Sequence, residues 1–228
     1  MKIKIINLVI LLVVIAGTIL AISAMPDTVP VHFNIHGLAD RWGSKYELLI
    51  MCPIIAVMQA LWLGFDVHYR KLSETALEEK ERVEAKTNRK VLEVTFTSVS
   101  VLFAILNGVT LYMSYSQLEG AKPAVDVFKI IAVVMGISFI VFGNIMPKTR
   151  NNPNVGFRLP WTRYNDVTWQ KTNRLSGIAM VIFGVVIALG GLIFKGPVAM
   201  IIMLCCLVIF TTVLTIYAYG VYKNEKQS

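Results

Sequence analysis

The chain has 228 residues, 56% of them apolar, yet Lys and Arg outnumber Asp and Glu by 22 to 14, for a net charge of +8. A soluble domain does not combine those values, because it could not cover that much apolar surface. Composition therefore excludes an ordinary soluble domain and predicts a polytopic α-helical membrane protein.

The first apolar run, Ile5–Ile22, follows a basic start, "MKIKI", that resembles a signal peptide. Its core exceeds the roughly 7–15 residues of a signal h-region, and Ile22-Ser23-Ala24 is a poor cleavage site, so a retained helix is expected. About twenty apolar residues suffice to cross a hydrocarbon core of roughly 30 Å as a helix. Residues 25–46 follow as a loop. Pro26 and Pro30 stiffen it, and Gly37 and Gly43 suggest tight turns, which predicts order rather than slack. His32, His36 and Asp40 are spaced by four, the spacing of metal ligands on a helix. Pro30 and Gly37 oppose a helix there, so no metal is expected and these side chains should cap turns.

The second run is Leu48–Phe65. Cys52, Cys205 and Cys206 all fall inside apolar runs and imply no disulfide framework. The charged stretch "HYRKLSETALEEKERVEAKTNRK" reads as a solvated helical connector. Thr75 and Glu78 fit a capping box, and Glu78 with Arg82 an i,i+4 pair.

Runs three to six are Val91–Tyr115, Val127–Met146, Ser176–Phe194 and Pro197–Tyr222. Glu47, Asp66 and Glu93 lie near helix ends, within reach of water. No Asp, Glu, His or Arg falls at mid-depth, where each would cost roughly 2.5–3.5 kcal/mol or more. That argues against a proton-coupled transporter or an intramembrane protease. Gln59 and Asn107 are expected to join helices by hydrogen bonds.

Between runs four and five, Lys148, Arg150, Arg158, Arg163, Lys171 and Arg174 face one acid, Asp166, and alternate with Phe157, Trp161, Tyr164 and Trp169. Such residues anchor helices to headgroups. No nucleic-acid recognition module accompanies them. Pro153, Pro160 and the Asn/Gly cluster predict a defined, partly re-entrant fold over 147–174. Pro160 should push Leu159 to extended geometry and aim Trp161. Arg158 is the expected donor to nearby carbonyls or a carboxylate, and Asn165 or Asp166 should cap the fifth helix. Arg41, Lys45, Lys122, Lys129 and Lys195 are the only cations on the first, third and fifth loops or just inside a helix there. The positive-inside rule therefore predicts both termini in the cytoplasm, an ordered outer loop 25–46 and an ordered inner loop 147–174. The chain divides into 1–67, two helices with the outer loop; 68–90, the connector; and 91–228, a four-helix portion.

The motifs "GNIMPK", "GFRLPWT" and "VTWQKTNRLSG" together resemble the SdpI family of bacterial membrane immunity proteins. The stretch "PDTVPVHFNIHGLADRWGSK" resembles the N-terminal domain of unknown function that accompanies it. The resemblance covers nearly the whole chain. It implies a multi-pass protein of the bacterial cell membrane that is not an enzyme, has no cofactor, and protects against a secreted peptide toxin. It further implies signalling by holding a cytoplasmic transcriptional repressor at the membrane, among membrane lipids and without direct nucleic-acid contact. Its binding residues map to His32, Phe33, Asn34, Gly37, Asp40, Trp42 and Gly43 in the outer loop. In the inner loop they map to Asn144, Gly156, Arg158, Pro160, Trp161, Thr162, Trp169, Thr172 and Arg174. Asn173 departs from the family pattern, which has a histidine in a Thr-His-Arg run, and the spacing before Gly156 is shorter. Two alternatives are a small-molecule or lipid transporter gated by the inner loop, and a metal-dependent membrane hydrolase using His32, His36 and Asp40.

Overall fold

Each apolar run folds into one helix: α1 (Lys2–Ser23), α2 (Met51–Thr75), α3 (Glu79–Ser116), α4 (Val127–Ile145), α5 (Asp166–Ile193) and α6 (Gly196–Gln227). All six are long and apolar enough to cross a membrane. This computed structural model describes residues 2–118, 120, 125–152 and 154–227; Lys122 and Pro153 lie outside them.

Residues 28–44 form an element absent from the all-α expectation: an antiparallel hairpin of β1 (Thr28–Phe33) and β2 (Ala39–Ser44). β-Branched Val29 and Val31 suit a strand, and Val29 is fully buried against Ile22, Met25 and Leu48. The turn is built by Asn34, whose side-chain oxygen accepts from the backbone N–H of His36 and of Leu38. Gly37 supplies the left-handed residue, at φ 73°.

The helices pack as two groups of three. Val14, Cys52 and Ile55 join α1 and α2 against Phe103 and Ala104 of α3. Gln59 donates to the Asn7 carbonyl at 2.7 Å and Asn107 to the Thr18 hydroxyl at 2.9 Å, the interhelical bonds expected of them. In the second group Ala132, Ile187, Ala199, Met203 and Cys206 join α4, α5 and α6. Here α4 and α5 touch backbone to backbone. A Cβ on Gly184 would lie 2.6 Å from the Gly136 carbonyl oxygen, and one on Gly177 2.6 Å from that of Gly143. Without hydrophobic drive between helices in lipid, such close approach supplies the attraction.

Two local expectations are corrected. Asp66 does not reach water: it is 4% exposed, held by Lys4 Nζ and Arg89 Nε, each at 2.7 Å. A buried carboxylate needs such partners, which come from α1 and α3 and so lie outside any local reading. Thr75 caps nothing ahead of it. It is the last residue of α2 and its hydroxyl bonds back to the Lys71 carbonyl, an alternative always open to a helical threonine. Glu78 makes no side-chain cap, and Arg82 Nε donates to the Ala76 carbonyl at 2.7 Å.

Candidate functional site

Two regions outside the helices sit at opposite ends of them. At the hairpin end, Gln117, just past α3, accepts from the Ala39 N–H and donates to the Gly37 carbonyl, both at 2.9 Å. One amide thereby clamps the hairpin tip. Ser44 and Glu47 form a reciprocal capping box, and Glu47 also takes Arg41 at 3.1 Å. A Cβ at Gly43 would press on the Glu47 carboxylate and lie 3.0 Å from Val31 Cγ2, so the Glu47 side chain would have to shift. His32 and Phe33 line a groove of about 640 Å³ whose floor is apolar, including Leu106, Met113, Phe128 and Ile131. Trp42, opposite Pro30 in the hairpin, stays 46% exposed.

His32 meets Asp40 across the strands at 2.5 Å. His36 sits in the turn and lines a different cavity, with Asp126 and Lys195. Among the described residues no three His, Cys, Asp or Glu come together in a way that could hold a metal. Asp126 links two helix starts instead, accepting from Lys129 N in α4 and from Gly196 N in α6 at 2.8 Å.

At the other end, the segment joining α4 to α5 folds around buried amides. Asn152 accepts from the backbone N–H of Asn154 and Val155, a side chain imitating a turn. Asn88 of α3 accepts from Arg150 N at 3.2 Å. Asn173 accepts from Phe157 N at 2.7 Å and donates to the Trp169 carbonyl. Trp169, 1% exposed, donates from its indole to the Thr149 carbonyl at 3.0 Å. Gly156, at φ 134°, passes directly over that indole: a Cβ there would lie 2.7 Å from the ring and 2.9 Å from Asn173 Oδ1. Nothing but glycine satisfies both the backbone angle and the approach.

The next turn is equally specified. Leu159 is extended, at φ −124° and ψ 159°, and Pro160 opens a short 3-10 helix ending at Arg163. Fully buried Thr162 accepts from Leu159 N and donates toward the Phe157 and Leu159 carbonyls. Asn165 caps α5 in a reciprocal pair with Thr168. The aromatic side chains then lie edge-on along α6: Phe157 on Phe210, Trp161 on Tyr219, Tyr164 on Tyr222. Trp161 Nε1 is buried without an acceptor among the described residues.

Of the inner-loop residues singled out by sequence, Gly156, Pro160, Trp161, Thr162 and Trp169 share this assembly. Thr172 is fully buried one turn further along α5, and its carbonyl takes the Ser176 hydroxyl. Asn144 does not join it; its amide bonds the Ile140 carbonyl of its own helix and stays exposed. Arg158 and Arg174 are exposed. Asn88, Thr149, Asn152 and Gln117 carry the assemblies, yet no sequence pattern singles out Asn88, Thr149 or Gln117. The run "RNNPN", dense in turn-forming asparagines, is the one local signal for Asn152.

Residues 148–218, from just past α4 to the C-terminal half of α6, match the SdpI/YfhL protein family. Residues 8–57 match a domain of unknown function, DUF1648. The chain is 24% identical over 225 residues to the Immunity protein SdpI of Bacillus subtilis, covering 98% of each chain. It is 42% identical over 45 residues to an uncharacterized protein of Archaeoglobus fulgidus, 20% of this chain and 25% of that one. No solved structure matches it. The chain is a multi-pass membrane protein whose residues 8–57 are similar to DUF1648 and whose residues 148–218 are similar to the SdpI/YfhL protein family.

Proposed function

We propose that this chain is a membrane immunity protein that protects its bacterium against a secreted toxic peptide. The observation that carries the reading is the end-to-end similarity to the Bacillus subtilis Immunity protein SdpI, 98% of each chain. The hairpin end faces outward and offers the peptide the groove beside His32 and Phe33; the Asn88–Asn173 assembly lies in the cytoplasm and holds a repressor protein there. No catalytic step is part of this function. The positive-inside rule supports the orientation. A reporter fused at Lys80 or at the C-terminus should read as cytoplasmic and one inserted at Leu38 as external; an external C-terminus overturns the arrangement.

The functional test is survival. A toxin-sensitive bacterium expressing the chain should outlive one with an empty vector when the peptide is added, and equal survival rejects immunity. The inner loop is tested by Arg158→Lys and Trp161→Ala, with membrane abundance checked by blot. Lysine keeps the charge but lacks the planar fork of five donors. Both variants should lose protection or repressor recruitment. Wild-type behaviour would reduce the loop to a headgroup anchor.

A further inference from the structure

Two grooves meet beside the inner loop and share one wall. The first, about 650 Å³, runs over α2 along Val57, Ala60, Leu61 and Gly64 and ends at His68 and Asn154. The second, about 370 Å³, runs between α2 and α3 past Met58, Phe96 and Val99 and ends at Asn154 and Arg158. Phe65 and Asn154 belong to both. Apart from Thr95 in the second groove, the polar groups cluster at one end, and two mainly apolar troughs leave that end and share Phe65 as a wall.

We propose that this forked site binds a single anionic two-chain phospholipid. Its phosphate sits among Arg158, His68 and the Asn154 amide, and one acyl chain lies in each trough. The fork is the feature that selects a diacyl lipid. A one-chain amphiphile leaves a trough to bulk lipid, and a free phosphate makes no use of either. Arginine suits phosphate because its planar donors are arranged for paired oxygens. Asn154 is preset, since its Nδ2 donates to the Tyr69 hydroxyl at 2.7 Å, and His68 is braced edge-on against the Tyr69 ring, centroids 5.2 Å apart. Both troughs lie along helices long and apolar enough to cross a membrane, where the medium they open to is lipid. Gly64 keeps the first trough open: a Cβ there would meet nothing within 4 Å, so its missing side chain is not demanded by protein packing.

The test is native mass spectrometry of the purified full chain with phosphatidylglycerol, phosphatidylcholine, lyso-phosphatidylglycerol or inorganic phosphate. Wild type should retain one phosphatidylglycerol in preference to phosphatidylcholine by about fivefold, the worth of one arginine near an anionic surface. Arg158→Gln should abolish that preference while leaving residual lipid. Gly64→Leu should reduce retention of both diacyl lipids without lowering thermal stability. The lyso-lipid and phosphate should bind more weakly than the diacyl lipid. Equal retention of the two diacyl lipids, tighter binding of phosphate alone, or indifference to both substitutions overturns the site.

Discussion

Gly184→Val should leave little folded protein in the membrane. The added Cβ would start 2.6 Å from the Gly136 carbonyl oxygen and 2.9 Å from the Ile140 backbone nitrogen. Both obstacles are main chain, which no side-chain rotation can clear, so α4 and α5 must separate. Overpacking a fitted core commonly costs about 1–3 kcal/mol, and a contact of this kind belongs at the top of that range. Alanine at the same position should also destabilise, though less. The comparison that isolates the mechanism is Gly64→Ala, where the new Cβ meets no atom within 4 Å. Replacing an open helical glycine should be neutral or stabilising by about 1 kcal/mol on helix propensity. Thermal unfolding in detergent, followed by size-exclusion chromatography, reads both signs. Equal stability of Gly184→Val and wild type would show that the helices do not depend on this approach.

Asn173→Leu should loosen the inner loop while the six helices persist. The amide oxygen is the acceptor for Phe157 N–H, at 2.7 Å, and leucine of similar size leaves that donor unpaired. An orphaned buried donor costs about 1–3 kcal/mol. The readout is trypsin cleavage at Arg158 and Arg163, which should quicken without a matching loss of helical content. Asn173→His should restore much of the protection, because a neutral imidazole offers Nδ1 where the asparagine offers its oxygen. The bond from the Asn173 amide nitrogen to the Trp169 carbonyl has no counterpart on that ring nitrogen. If leucine and histidine behave alike, the Phe157 bond does not order the loop.

That pair also shows what could be read in advance and what could not. The six spans follow from apolar runs alone, since length and hydropathy suffice to make a helix in lipid. The Asn165–Thr168 cap and the extended Leu159 before Pro160 are equally legible, because their causes lie within a few residues. The partners of Asn173 and Trp169 are not legible. Gly156, Phe157 and Thr149 reach them only after the chain has doubled back between α4 and α5. Asp66 is the same case in the first half, its two cations lying on α1 and α3. The hairpin hides for another reason: Pro30 and the short, partly polar strands weaken the alternation that marks a sheet. Gly177, Gly184 and Gly191 repeat every seven residues, but the repeat names no partner until α4 brings Gly136 and Gly143 to it.

The 38-residue helix α3 has a mechanical consequence. Asn88, near one end, holds the inner loop, and Gln117, just past the other, grips the hairpin tip. These two grips stand roughly 44 Å apart along one unbroken rod, at about 1.5 Å per residue. Pivoting the rod about its middle by roughly 3° would carry each grip sideways by about 1 Å, in opposite directions, by the lever geometry of a rigid helix. A load on the hairpin tip would therefore be felt at Arg150 as a displacement rather than as a chain of rearranged contacts. Spin labels at His36 and Asn151 would register it as opposed shifts relative to a third label on α5, and an unmoved Asn151 label would rule the lever out.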